Sequence, residues 1–200
     1  MTCKSLVSVV FLTSLLLGGC AFTDQKVELE FQPRDVSEKA ALGPLYFSKL
    51  SDARTDRSRV GVVKNGWGSE TASVRTDQDL TILVSKAIVS ELRNIGYQVS
   101  TVDINRLDVA TDYSPGIPMV SGNLSKLFAE PIVGLWAGDV TGEIQLTLEV
   151  KKNNKVQSKT YKASEKVTVM VWTASSYKEA LEKTLQALLV QIRSDFTVRP

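Results

Sequence analysis

Histidine is absent from all 200 residues of the chain. This absence excludes a Ser–His–Asp or Cys–His nucleophile and any metal site that needs an imidazole ligand. Cysteine is nearly as scarce, since Cys3 and Cys20 are the only two. An excess of charge is also missing, because 24 Lys and Arg stand against 22 Asp and Glu. Nucleic-acid binding usually requires a clustered basic face. We therefore expect neither histidine-dependent catalysis nor a nucleic-acid partner.

Long hydrophobic runs are lacking as well. The longest mostly apolar segment, residues 6–17, has twelve residues, and a helix needs about 20 to cross a bilayer. The overall composition, 43% hydrophobic and 23% charged, is typical of a folded globular domain, for which about 45–50% and about 25% are usual. The sequence thus predicts one domain with its own core.

The N-terminus has the organisation of an export signal. A short segment with the single charge of Lys4 precedes the apolar residues 6–17, which have the length of a secretory hydrophobic region. The string Leu17-Gly18-Gly19-Cys20 resembles the lipobox of bacterial lipoproteins. This resemblance implies cleavage before Cys20 and diacylation of its thiol. The alternative is an ordinary signal peptide followed by an unrelated cysteine.

Three regions follow from this interpretation. Residues 1–19 are the signal peptide, residues 20–44 a lipidated tether that could contain a strand at Val27–Phe31, and residues 45–200 a single globular domain. Cys20 would be the only mature thiol, and the lipid on it is the contact with the membrane. In Gram-negative lipoproteins an Asp after the cysteine favours retention in the inner membrane. Ala21 in that position implies the outer membrane, facing the periplasm.

Periodicity predicts an α+β fold. Apolar residues spaced by three and four predict a helix from Leu80 to Ile95, capped by Thr76 or Asp77, and a second helix opened by Ser175 or Ser176. Alternation and β-branched content predict the strands, which are 45–50, 59–64, 97–102, 119–128, 140–150 and 156–171. Residues 151–155 are the expected hairpin turn. We expect an α/β sandwich: a mixed, largely antiparallel sheet with two helices packed on one face and a wetter opposite face.

Several of these segments together resemble the YajG-like family of bacterial lipoproteins. The resemblance spans roughly residues 45 to 196 and is carried by four short motifs: Ser51-Asp52-Ala53-Arg54, Val60-Gly61-Val62, Gly96-Tyr97 and Lys159-Thr160-Tyr161. That family has no established enzyme activity. The resemblance therefore implies an envelope location and an architecture, and it supplies no catalytic residues.

Two groups of side chains are candidates for partner binding. Asp52 and Arg54 belong to the densest charged cluster of the chain, which is either a partner-docking or anion-contacting loop or a solvated loop with weak local ion pairs. The cluster consists of Asp52, Arg54, Asp56, Arg57 and Arg59. Trp67 lies in a glycine-rich turn, and Leu135 and Trp136 lie in an apolar segment where two strands should turn. That segment is either an exposed binding surface or a cover over the sheet.

No motif indicates a cofactor or a metal. Asp103, Asp108 and Asp112 lack the spacing, the glycine and the final glutamate of a calcium loop. Two functional hypotheses remain. The first is a non-enzymatic accessory module that binds a protein of the cell envelope. The second is a carrier or sensor of lipid or glycan, similar to auxiliary lipoproteins of envelope lipid transport.

Overall fold

A computed structural model describes residues 23–33, 41–102, 116–134 and 137–198. Within these ranges the chain forms a nine-stranded mixed sheet and two helices. In chain order the elements are β1 (Gln25–Lys26), β2 (Gly43–Ser48), β3 (Ser51–Asp52), β4 (Gly61–Lys64), β5 (Glu70–Arg75), α1 (Leu80–Asn94), β6 (Tyr97–Val102), β7 (Met119–Ile132), β8 (Gly138–Lys152), β9 (Lys155–Val169) and α2 (Ala174–Val198). The predicted α+β class is confirmed.

The three long strands β7, β8 and β9 form an antiparallel meander. Val120 pairs with Val150 on β8, and Val150 pairs with Gln157 on β9. Asn153 and Asn154 connect β8 to β9 with φ of 48° and 62°. Two left-handed residues are the signature of the tight turn that suits a twisted hairpin, and asparagine tolerates them well. This confirms the turn expected at residues 151–155.

The edge of β7 that faces away from β8 pairs with two separate groups of strands, which we call the two arms of the sheet. Along this edge β7 pairs in parallel first with β2, at Phe47 and Val120, then with β3, and last with β4, at Gly61 and Ala129. Strand β2 continues to β6, whereas β4 continues to β5 and β1. The parallel pairings on β7 are short, whereas the antiparallel pairings of β8 with β7 and with β9 run along almost the whole length of these strands, so the sheet is mixed and mostly antiparallel. A cleft opens where the two arms separate, and we call this place the fork of the sheet.

Both helices pack on the same face, as expected. Ile88 and Leu92 of α1 and Leu185 and Leu188 of α2 are almost completely buried. Every second residue of β8 is buried on this face of the sheet, from Val140 through Gly142, Ile144 and Leu146 to Leu148. The opposite face is polar: the hydroxyls of Thr147 and Thr160 lie 3.0 Å apart on it. Burial of one aliphatic side chain contributes about 1.5–3 kcal/mol, so this two-helix layer is the main source of stability.

The segment upstream of β2 takes part in the core. Val27 and Leu29, from the region predicted as a tether, are buried at 2% and 4% exposure. Of the described residues in this segment, only Gln25–Lys26 has strand pairing. At Leu29 the side-chain amide of Gln78 replaces a strand, since it accepts from the Leu29 N–H at 2.7 Å and donates to the Leu29 carbonyl at 3.0 Å. The alternation that suggested a strand reflects alternate burial of side chains.

Two further details differ from the sequence-based expectations. Helix α1 is capped by Asp79, whose carboxylate accepts from the N–H groups of Thr81 and Ile82, and not by Thr76 or Asp77. Strand β5 was not predicted, because Glu70–Arg75 has no clear alternation and only Val74 in it is fully buried.

Candidate functional site

The charged cluster singled out in the sequence lies at the fork of the sheet. Asp52, at the end of β3, holds the guanidinium of Arg54 through two bonds, Nε to Oδ1 at 3.0 Å and Nη2 to Oδ2 at 2.9 Å. The Arg54 side chain is only 7% exposed. Its hydrogen bonds to the carboxylate hold the pKa of Asp52 below its usual range. The pair is therefore an internal brace of the loop, and its two charges neutralise each other.

A second ion pair lies in the lining of the same cleft. Lys49, directly after β2, donates from Nζ to Asp79 Oδ2 at 2.8 Å. Burial of Asp79 favours its protonated form. The bonds from Lys49, Thr81 and Ile82 outweigh burial and hold the pKa of Asp79 well below its usual range. One carboxylate thus both caps α1 and ties the start of that helix to the end of β2.

The remainder of the loop is also held by local bonds. Asp56 accepts from the N–H of Ser58 at 2.9 Å and from its hydroxyl at 2.6 Å, and these bonds, together with that from Arg59, lower the pKa of Asp56 to about 2. Arg59 also pairs with Glu70, and its guanidinium lies 5.8 Å from the centre of the Phe128 ring. This network fixes the backbone of the loop beside the cleft.

The cleft itself has a volume of about 710 Å³. Its lining comes from the β2–β4 connection, the start of α1 and strands β7 and β8: Lys49, Leu50, Ser51, Asp52, Arg54, Arg57, Gln78, Asp79, Leu80, Thr81, Ser121, Gly122, Asn123 and Glu149. The two leucines are only 2% and 3% exposed, so the accessible wall is formed mainly by polar and charged residues, whose carbon atoms contribute as much of its surface as their polar atoms. Arg57 and Glu149 are exposed, and neither makes a direct ion pair among the described residues. The charge of Arg57 does help to lower the pKa of Asp52.

The structure does not bring the predicted binding residues together. Asp52 and Arg54 line the cleft, whereas Trp67 lies in the turn after β4, 93% exposed. Strand β3 pairs with β7 at Asn123 and β4 pairs with it at Ala129, so the two places are separated by about 20 Å of strand or more. Leu135 and Trp136 lie outside the described residues.

Three residues of the cleft were not identified from the sequence. Asp79 carried a usable signal, because an Asp directly before an apolar helical run is a typical N-cap. No sequence pattern indicates Lys49 or Glu149 as a site residue, because 100 residues separate them. Only the pairing of β2 and β8 with β7 brings both to one cleft. Arg57 belonged to the charged cluster, but its lack of an ion-pair partner depends on the fold.

Two general features of the described residues bear on function. No group of three or more carboxylate or cysteine side chains among them is arranged to hold a metal ion. Neither of their helices combines the length and the apolar character needed to span a membrane. The aspartates considered for calcium, Asp103, Asp108 and Asp112, lie outside the described residues, as does Cys20.

This architecture defines the class of the protein: an α+β sandwich with two helices on one face of a mixed sheet. A crystal structure of a Xanthomonas campestris protein shares the fold, with a TM-score of 0.53 at 14% identity over 88% of this chain and 95% of that one. The family model described as "Uncharacterized lipoprotein" matches residues 49–199. The chain belongs to this lipoprotein family, which confirms the YajG-like resemblance.

More distant similarity extends to other lipoproteins. Lipoprotein structures from Neisseria meningitidis and Shewanella oneidensis match 76% and 78% of this chain and 99% and 96% of their own. Their identities are 12% and 13%, and their TM-scores are 0.38 and 0.35. No curated protein matches the sequence. Family membership identifies a bacterial lipoprotein of the cell envelope.

Proposed function

We propose that the protein is acylated on Cys20, is held on the outer membrane facing the periplasm, and acts as a non-enzymatic accessory module. In this role it binds a polar segment of another envelope protein in the cleft at the fork of the sheet. The observation that carries the proposal is the accessible wall of the cleft, which is formed mainly by polar and charged residues and includes Arg57 and Glu149, neither of which makes an ion pair within the described part of the chain.

The two unpaired charges define what a partner must offer. Lys49 is bonded to Asp79, and Arg54 is bonded to Asp52, so these four groups are already neutralised. Arg57 and Glu149 remain able to meet one acidic and one basic group of an incoming segment. Charges at the rim of an interface mainly select the partner and speed its association. A segment with both signs of charge is therefore the fitting ligand.

The same lining argues against the lipid or glycan hypothesis. Sites for apolar ligands are enclosed mainly by hydrophobic and aromatic side chains. Among the described residues, Leu50 and Leu80 are the only apolar side chains that line the cleft, and both are buried beneath it. No aromatic ring of the described part of the chain lines the cleft, so none of these residues offers a surface on which a sugar could stack. A polypeptide with charged side chains suits this wall better than either ligand.

The ionisation states of Asp52 and Asp79 in the cleft argue for binding rather than catalysis. A general acid or base is most effective when its pKa lies near the working pH. Hydrogen bonds lower the pKa of Asp52 and of Asp79 below the usual range of a carboxyl group. Both groups therefore stay ionised near neutral pH and serve as fixed hydrogen-bond acceptors.

Charge reversal followed by co-purification tests the proposal. The lipidated protein is recovered from detergent-solubilised envelope as the parent, as Arg57→Glu and as Glu149→Lys. Lys162→Glu on β9 is the matched control, because Lys162 is exposed and lies outside the cleft. We expect an envelope protein to accompany the parent and the control and to be lost from both cleft variants. Equal recovery of the same proteins with all four chains would contradict the proposal, and so would a co-purifying lipid whose amount depends on Arg57.

A further inference from the structure

Exposed apolar side chains collect at one end of the sheet. Trp67 is 93% exposed, Met170 90%, Val171 70% and Ile132 51%. We call these four residues the apolar end. Strand pairing places them together: Ile132 pairs with Asp139, and Asp139 pairs with Thr168, just before Met170. Strand β4 runs parallel to β7, so the turn that follows it lies at this same end.

The turn between β4 and β5 is built to hold Trp67 outward. The side-chain oxygen of Asn65 accepts from the N–H groups of Trp67 and Ser69, both at 3.0 Å. Gly68 has a φ of 80°, which completes the turn at no steric cost. A tryptophan side chain can bury about 150–250 Å² when it finds an apolar environment. Its almost full exposure on a fixed turn marks a contact surface.

The start of the described chain lies near the same end. Strand β1 runs parallel to β5, with Gln25 opposite Val74. Just before it, Asp24 accepts from the N–H of Ser73 at 2.8 Å and from Nε of Arg75 at 2.9 Å. The chain is therefore fixed to the sheet from Asp24 onward. Because β5 begins at the β4–β5 turn and β1 runs parallel to it, the described residues before β1, Thr23 and Asp24, lie on the side of β1 that faces the turn with Trp67.

The length of that upstream chain limits where the lipid can lie. Cys20 is three residues before Thr23, and three residues span at most about 11 Å. Acyl chains on Cys20 must lie inside the bilayer. The membrane surface is thus held close to the end of the sheet that carries Trp67. The sequence suggested a tether of 25 residues, but only three residues separate Cys20 from Asp24, where the chain is fixed to the sheet.

We propose that the apolar end docks in the interfacial layer of the membrane in which Cys20 is anchored. This inference rests on the proposed acylation of Cys20. Tryptophan is favoured at the boundary between headgroups and acyl chains, where its ring is in apolar surroundings and its N–H remains hydrated. The lipid and the apolar end together fix the orientation of the domain, which a lipid alone would not.

This orientation has consequences for the cleft. Asn123 on β7 lies nine residues from Ile132, which corresponds to about 30 Å of strand. The cleft therefore opens well above the membrane surface, toward the periplasm. The β8–β9 turn at Asn153 is farther away still, about 50 Å from the apolar end along the hairpin.

Fluorescence quenching by lipids tests the proposal on the full lipidated protein. Ser69→Cys and Val171→Cys place a thiol beside Trp67 and in the apolar end, and Val156→Cys, 58% exposed near the β8–β9 turn, is the control. Each is labelled with bimane and reconstituted into phosphatidylethanolamine and phosphatidylglycerol vesicles containing spin-labelled phospholipid. We expect quenching at positions 69 and 171 to exceed that at 156 several-fold. Adding Trp67→Ser should reduce the quenching of bimane by the spin-labelled lipid at position 69.

Other outcomes identify which part is wrong. Equal quenching at all three positions overturns membrane docking. Protection from aqueous iodide without quenching by lipid also overturns it, since a protein would then cover the apolar end. Incorporation of labelled palmitate is measured in the same preparation. Incorporation of palmitate without quenching by lipid shows that the anchor is present and rejects docking. Absence of palmitate incorporation rejects both the anchor and the docking that depends on it.

Discussion

Gly142 on β8 should be essential for the packing of α2. A Cβ added there would lie 2.5 Å from Thr184 Oγ1 and 2.6 Å from the Ala180 carbonyl oxygen. Thr184 has no exposed surface, and its hydroxyl already donates to Ala180 at 2.7 Å. Neither atom can rotate away, so Gly142→Ala must move the helix by about 0.9 Å to restore a contact of 3.4 Å. Overpacking of this kind costs about 1–3 kcal/mol.

A urea titration of the chain without residues 1–20 measures this effect. With a slope of about 2 kcal/mol per molar urea, a loss of about 1–3 kcal/mol lowers the midpoint by about 0.5–1.5 M. Gly116→Ala is the control, because a Cβ at that position meets no atom within 4 Å. A midpoint for Gly142→Ala equal to that of the control would refute the close approach of α2 to the sheet.

Three further predictions concern the anchor, a buried hydroxyl and the acid response. Cys20→Ser should abolish labelling with radioactive palmitate, because the thiol is the acyl acceptor; unchanged labelling would refute the lipobox assignment. Tyr177→Phe should raise the free energy of unfolding by about 1 kcal/mol, because the buried Tyr177 hydroxyl has no hydrogen-bond partner within the described chain and burial raises its pKa to about 12. A loss of stability in the urea titration would contradict this. The lowered pKa of Asp79 means that its contribution to stability is present above the pKa of the unfolded chain, about 4, and is lost as the pH falls below it. The urea midpoint of Asp79→Asn should therefore drop less between pH 7 and pH 3 than that of the parent, and an equal drop would argue against the ion pair with Lys49.

Much of the fold could be predicted because its longest elements have strong periodicity. Strand β8 alternates cleanly over Ile144, Leu146 and Leu148, and both helices have continuous apolar stripes. These local patterns are sufficient to predict whether a segment is a helix or a strand and which of its faces is buried. They are also sufficient for the turn at Asn153 and Asn154, where residue type and hairpin geometry agree.

The fork of the sheet could not be predicted in this way. It depends on short parallel pairings of β2, β3 and β4 with one edge of β7, each of one or two residue pairs. Such contacts are distant in sequence and leave no periodic signal. The same holds for Leu29, whose backbone partner is the side chain of Gln78 in another segment.

The candidate site was predictable only in part. Charge density identified Asp52 and Arg54, but not that they neutralise each other in a buried pair. The exposed charges of Arg57 and Glu149 come from segments far apart in the chain and meet only in the folded sheet. Trp67 was identified by its place in a glycine-rich turn, whereas its relation to the start of the chain depends on the parallel pairing of β1 with β5.

Photo-crosslinking in living cells tests the central claim, protein binding at the cleft, most directly. A photoreactive phenylalanine derivative replaces Ser51, which lines the cleft and is exposed, or Lys162 as the control outside it. The proposed function predicts one discrete protein adduct from position 51, none from position 162, and loss of the adduct when Arg57→Glu is added. Absence of a protein adduct from position 51 in the acylated, folded protein, or an adduct that persists with Arg57→Glu, would contradict it.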